Sequence, residues 1–175
     1  GLGLTYEIGK LSLAGIVERF DNKSEEDKNK ATMVYSLSAT YDFEVAKAFF
    51  GYQYANRFHS LDQLGDVWVS GKGMNQNAFT LGAEVPAAGG TFKVAANYGF
   101  GKVKSADGVV VDDTKLSNDK FNRFTVGAAY EYPLSKRTFV YGWGAYATAG
   151  KMFKEKAVEE NFKSWSLGLG LHHTF

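Results

Sequence analysis

The chain has no cysteine, and its only 2 prolines, Pro86 and Pro133, both fall in short connections. Without cysteine there is no disulfide framework, no thiolate-ligated zinc or iron–sulfur centre and no thiol nucleophile. There is almost no net charge either: 20 Lys and Arg stand against 19 Asp and Glu, leaving +1. No global field draws such a chain to nucleic acid, which is not an expected partner. Polar or charged residues interrupt every apolar run before it reaches the ~18 residues that a bilayer-crossing helix needs. The opening Gly1-Leu2-Gly3-Leu4 carries no initiator Met, basic n-region or apolar h-region, so the chain reads as a mature product or as a piece of something longer. What is abundant is aromatic and small: 14 Phe, 10 Tyr and 3 Trp, with 20 Gly, in 175 residues that are 45% hydrophobic and 22% charged. That is too apolar for a disordered chain, and the length suits a single domain over residues 1–175.

Alternation with a period of two recurs along nearly the whole sequence, as expected of strands with two unlike faces. Between Ala31 and Phe43 the odd positions are Met33, Tyr35, Leu37, Ala39, Tyr41 and Phe43, and the even ones are mostly small and polar. The same alternation covers Thr91 to Gly101, Arg123 to Tyr132 and Ser164 to Phe175, and weaker versions cover Leu2 to Glu7, Leu11 to Phe20, Lys47 to Phe58, Asn77 to Val85 and Thr138 to Ala147. Nine strands are expected, with no helix beyond a turn or two in Ser24 to Lys30 and Lys151 to Asn161.

The connections alternate in length. Ile8-Gly9-Lys10, Glu44-Val45-Ala46, Pro86 to Gly90 and Pro133 to Arg137 are short and rich in turn residues, whereas Asp21 to Lys30, His59 to Gln76, Lys102 to Asp119 and Gly150 to Asn161 are long and charged. In an antiparallel sheet all the short turns then lie at one end and all the long loops at the other, as in a transmembrane β-barrel. The non-apolar face is rich in Gly, Ser, Thr and Ala, with charge sparsely placed, where a solvated outer surface would be dense in Lys and Glu. The apolar stripes run ~10 residues, which at a tilt near 40° covers the ~25 Å apolar band of an outer membrane. Aromatics gather at the stripe ends and suggest two interfacial girdles. Tyr41, Phe43, Tyr130, Tyr132, Phe139, Tyr141 and Phe175 are assigned to the turn end; Phe20, Met33, Tyr54, Phe58, Phe121 and Trp165 are assigned to the loop end.

The final stretch Trp165 to Phe175, with apolar residues at alternate positions and a terminal Phe, resembles the C-terminal signature of bacterial outer-membrane barrels. Tyr130-Glu131-Tyr132-Pro133-Leu134-Ser135-Lys136-Arg137-Thr138 resembles the turn before the last hairpin of general Gram-negative porins. That resemblance implies a 16-stranded trimeric barrel in the outer membrane, of which nine strands would be the C-terminal half. It further implies passive diffusion of small hydrophilic solutes and ions, homotrimer formation when full length, contact with lipid and lipopolysaccharide, and an assembly signal in Leu169, Leu171, His173 and Phe175 read by the barrel-assembly machinery. The inward constriction loop of such porins is absent from this stretch of sequence.

Charges expected to face a lumen are Lys47, Arg57, Lys93 and Arg123, against Glu7, Glu18, Asp42, Glu84 and Glu131. They would create a mixed transverse field, or simply solvate a wet interior and pair across strands. Arg57 and Arg123 are the stronger functional candidates, since a guanidinium stays ionised and binds carboxylates through two parallel hydrogen bonds. No catalytic residue, metal site or cofactor is expected. His172 and His173 are adjacent on a strand and point to opposite faces, and His59 is remote. The acidic stretch Asp21 to Asp27 lacks the ligand spacing of a calcium loop, and His59-Ser60 are neighbours without a third catalytic member. Asp107-Gly108 reads as a tight turn within a long loop.

Two other classes compete. A small closed outer-membrane barrel acting as adhesin or anchor would have about eight strands and an interior filled by side chains. Gly82, Gly99, Gly127, Gly142 and Gly168 fit a wide lumen better. A soluble β-barrel with an apolar ligand would need the apolar stripes turned inward.

Overall fold

The computed structural model describes residues 1–21, 31–59, 72–104, 110–111, 114–115, 119–154 and 163–174. Nine strands form one antiparallel sheet: β1 (Leu2–Ile8), β2 (Leu11–Phe20), β3 (Thr32–Asp42), β4 (Lys47–Phe58), β5 (Met74–Ala87), β6 (Gly90–Val103), β9 (Lys120–Ser135), β10 (Thr138–Lys151) and β11 (Lys163–His173). Each pairs with its sequence neighbour, and β6 pairs with β9. Between those two lies a two-residue ladder, β7 (Val110–Val111) with β8 (Thr114–Lys115). The expected turn at Asp107-Gly108, the expected helical turn at residues 24–30 and the acidic stretch 22–27 lie outside the described residues. A 3-10 turn, Met152–Lys154, follows β10, inside the segment expected to hold a helical turn.

The strands are longer than alternation alone suggests. β5 and β6 have 14 residues each, and β9 has 16, running through Pro133 to Ser135. The short connections are correspondingly tight: Gly9-Lys10, Phe43–Ala46, Ala88-Gly89 and Lys136-Arg137. At Ala88-Gly89 both φ angles are positive, 48° and 80°, which gives the turn twist that matches a right-handed hairpin. All four turns lie at one end of the sheet and the long connections at the other.

Register divides the residues into two faces. On one, Leu13 pairs with Ala39, Leu37 with Tyr52, Phe50 with Leu81, Phe79 with Tyr98, and Gly144 with Leu167. This apolar face is open to the surroundings, with Leu37 60%, Leu81 62% and Leu169 91% exposed. The polar groups it carries near the loop end bond to each other across strands: Tyr52 Oη donates to Asn77 Oδ1 at 2.9 Å, and Asn75 Nδ2 to Tyr54 Oη at 2.9 Å. Such pairing offsets part of the cost of placing an amide against hydrocarbon, although Asn75 Oδ1 itself has no partner among the described residues. On the other face Ser12 pairs with Thr40, Ser36 with Gln53, Gly51 with Thr80, Asn97 with Thr125, and Gly127 with Ala145.

The sheet does not close: β1 and β11 each have a strand neighbour on one side only. Among the described residues there is no central core. The deeply buried large side chains, Met74, Phe121, Met152 and Phe153, are confined to the loop end of the polar face.

Five girdle assignments change in the structure. Phe58 falls inward because Arg57, at φ 60°, is the extra residue of a β-bulge. Asn56 pairs with Asn75, but Phe58 pairs with Met74, one step out of phase. Phe121 lies on the polar face opposite Gly101 and Lys151, and only 2% of it is exposed. Its ring packs edge-on against Phe58 and Phe153, with centroids 6.3 and 6.0 Å away. Phe20 pairs with Thr32 on the polar face. Phe139 and Tyr141 also face that side, opposite Pro133 and Glu131, so β10 carries its bulky stripe inward. The reason is complementary packing with β11. Leu169 and Leu167 fill the outer space above Gly142 and Gly144, while Tyr141 and Trp143 lie over Gly170 and Gly168 inside. Gly142, expected to line a lumen, is therefore on the apolar face. Tyr41, Tyr130, Tyr132, Tyr54 and Trp165 keep the outward side assigned to them. Phe175 lies outside the described residues.

Candidate functional site

Eight of the nine charges singled out on strands, all but Arg57, stand on the polar face, and the structure sorts them by height. Near the turn end Asp42 pairs with Lys47, Lys47 with Glu84 and Glu84 with Lys93, each on the next strand. Ion pairs join Asp42 to Lys47 at 3.6 Å, Glu84 to Lys93 at 3.6 Å and Lys93 to Glu131 at 2.8 Å. The result is a row of alternating sign across five strands, from β3 to β9. Lys93, bracketed by two carboxylates, is its pivot. Each member remains about a third to a half exposed, so the pairs are solvated and individually weak.

Above this row the face is neutral and small. Asn97 Nδ2 donates to Thr80 Oγ1 at 2.7 Å, and Gln53 Nε2 to Ser36 Oγ at 3.2 Å. Gly82, Ala95, Gly127, Ala129 and Ala145 floor a hollow of about 550 Å³ with Phe49 and Trp143 on its sides. Small residues here leave space that larger ones would fill.

Arg123 stands near the loop end of the same face, opposite Gly99 and Ala149. It is eight residues from Glu131 along β9, about 26 Å, and so does not join the turn-end row. Glu18 is also near the loop end, paired with Val34, and Glu7 pairs with Ser12. Arg57 is the bulge residue without a register partner; its carbonyl accepts from Thr32 Oγ1 at 2.6 Å. Among the described residues no group of three or more His, Asp and Glu is placed to hold a metal ion. His172 and His173 do point to opposite faces: His172 stacks on Phe139 at 4.9 Å, and His173 Nδ1 lies 2.8 Å from Thr138 Oγ1.

A sheet with one exposed apolar face, one polar and charged face, tight turns at one end and long loops at the other has the geometry of a membrane barrel wall. A family model described as Gram-negative porin matches residues 1–151. The chain belongs to that family. It is 30% identical to an outer membrane porin protein of Bordetella pertussis over 193 aligned positions, covering 99% of this chain and 45% of the relative. Its fold matches the anion-selective porin from Comamonas acidovorans with a TM-score of 0.60 at 23% identity, over 99% of this chain and 48% of that one. The chain thus spans about half the length of the porins it matches, and the open nine-stranded sheet is a porin barrel fold. Family and relatives place it in the outer membrane of a Gram-negative bacterium.

In this porin segment Leu169 and Leu171 occupy the outer face of the edge strand β11, alongside His173. Two groups escape sequence reasoning. One is the inward aromatic file Phe139, Tyr141 and Trp143, whose signal is present in the odd parity of β10 but is overridden by residue type. The other is the loop-end cluster around Phe121, which depends on a bulge that no sequence pattern marks.

Proposed function

We propose that this chain forms about half of the wall of a 16-stranded, water-filled channel through which small hydrophilic solutes and ions diffuse passively. No bond is made or broken, and the barrel segment 1–175 acts as one unit. One observation carries the reading: away from the loop-end rim the strand charges share one face with most of the small polar residues, while the opposite face is apolar and exposed, the reverse of a soluble barrel. Lys47, Lys93, Arg123, Glu18, Asp42, Glu84 and Glu131 line the pore, with Arg57 at its loop-end rim. The turn-end row is nearly self-neutral, so this half of the wall imposes weak charge preference. An open sheet of nine strands supports a large barrel over the eight-stranded adhesin or anchor, whose sheet would close on itself. The test is planar-bilayer recording of the full-length protein in KCl. Stepwise conductance is expected, and its absence would overturn the channel.

Partners follow from the same geometry. At the loop end of the apolar face stand Arg19, Lys102, Lys120 and Lys163, with Lys102 directly opposite Lys120. A basic rim at that height suits the phosphates of lipopolysaccharide. The edge strand β11, with its outward leucines, suits recognition by the barrel-assembly machinery, and a homotrimer is the expected assembly of the full-length chain.

A further inference from the structure

Phe139, Tyr141 and Trp143 form a file along the polar face of β10, running from the turn end toward the middle of the sheet. From first to last it extends about 13 Å, comparable to a disaccharide. Neighbouring glycines hold the rings down: a Cβ at Gly168 would collide with the Trp143 indole, and one at Gly170 with the Tyr141 ring. The Tyr141 and Trp143 rings therefore lie against the β11 backbone with no side chain between, while Phe139 stacks on His172. Trp143 nonetheless keeps 41% of its surface exposed, beside the hollow floored by Gly127, Ala129 and Ala145. Tyr141 is directly opposite Glu131, whose carboxylate bonds Lys93 Nζ at 2.8 Å. A flat aromatic platform thus borders a group that offers donors and acceptors together.

We infer that this file is a binding track for pyranose sugars crossing the channel, with Trp143 and Tyr141 as stacking platforms and the Lys93–Glu131 pair as the hydroxyl-binding partner. The C–H face of a pyranose ring is apolar and matches an aromatic face, while its rim of hydroxyls needs both donors and acceptors. An organic cation fits less well, because the carboxylates next to the rings already face the Lys93 ammonium. A wet pore that is weakly sticky to its solute still conducts, provided the solute leaves readily.

The inference rests on the channel reading, and full-length protein in planar bilayers tests the two separately. Failure to conduct KCl overturns the channel and this track together. In channels that conduct KCl, added maltose is expected to reduce current saturably, and sorbitol, an acyclic polyol without a flat ring face, is expected to give no saturation. Trp143→Ala is expected to raise the half-saturating maltose concentration about 2- to 10-fold, the size of one aromatic contact. Trp143→Phe is expected to restore most of that, and Glu131→Gln is expected to raise it independently. KCl conductance reports assembly of each variant; if Trp143→Ala does not assemble, Trp143→Phe and Glu131→Gln decide. A conducting channel with no saturable maltose effect overturns the track, as do Trp143→Ala and Glu131→Gln channels that match the wild type.

Discussion

The two ends of the polar face are built by opposite means. At the turn end, Asp42, Lys47, Glu84, Lys93 and Glu131 stay partly exposed and hold each other by weak, solvated ion pairs. At the loop end, Met74, Phe121, Met152 and Phe153 are buried from water, and Phe121 meets Phe153 and the half-buried Phe58 edge to face. The difference shows where a wide barrel obtains stability. Its middle cannot be packed if it is to stay open, so buried apolar contact is available only where a connecting segment folds back onto the wall. The Met152–Lys154 turn does this at the end of β10.

The contrast breaks most visibly at Phe121. Phe121→Ala is expected to cost about 3–5 kcal/mol, because a ring that is 2% exposed leaves a cavity. Unfolding of the full-length protein in detergent, followed by heat-modifiable gel mobility, measures it; a loss below about 1 kcal/mol would mean that the cluster is not a packed core. The contrast belongs to the polar face alone, and substitutions on neighbouring residues of β3 sharpen that limit. Leu37→Arg, on the apolar face, is expected to cost about 2–4 kcal/mol in a bilayer, whereas Ser38→Arg next to it, on the polar face, is expected to cost little. Equal costs in a lipid-based unfolding titration would contradict the assignment of faces.

At the turn end the expected effect is on permeation instead of folding. Lys93→Met leaves Glu84 and Glu131 without the cation between them, so the reversal potential in a KCl gradient should move toward cation preference. An unchanged or anion-directed potential would place the row outside the conduction path. The smallest effect is expected at the loop rim, where Lys102 Nζ bonds the Asp119 carboxylate at 3.0 Å. That bond holds the carboxyl of Asp119 below the usual carboxylate range. A lowered folded-state pKa contributes stability that is present above the ordinary carboxylate pKa and is lost as pH falls through the folded value. Asp119→Asn should therefore lower thermal stability slightly at neutrality, and the difference from the wild type should vanish as pH falls below about 4.

Much of this is legible in the amino-acid sequence. Period-two alternation in residues such as Met33 to Phe43 reveals strands, because successive side chains of an extended chain must leave on opposite sides. The short and long connections reveal which ends of the strands lie together. Lys47, Lys93, Glu84 and Glu131 can be assigned to one face by counting parity. Residue type misleads where it outweighs parity: Phe139 and Tyr141 suggest a girdle for being aromatic, although Trp143 continues the same odd-numbered file.

Strand number, their antiparallel order and the separation of an apolar from a polar face were determined by the sequence, since each follows from local geometry repeated along the chain. Three features were decided only by the tertiary structure: the bulge at Arg57 that turns Phe58 inward, the pairing of Lys93 with two carboxylates on different strands, and the packing of Tyr141 and Trp143 over the glycines of β11. Each depends on which residue of a neighbouring strand stands opposite, and cross-strand register is a property of two segments together that neither segment carries alone.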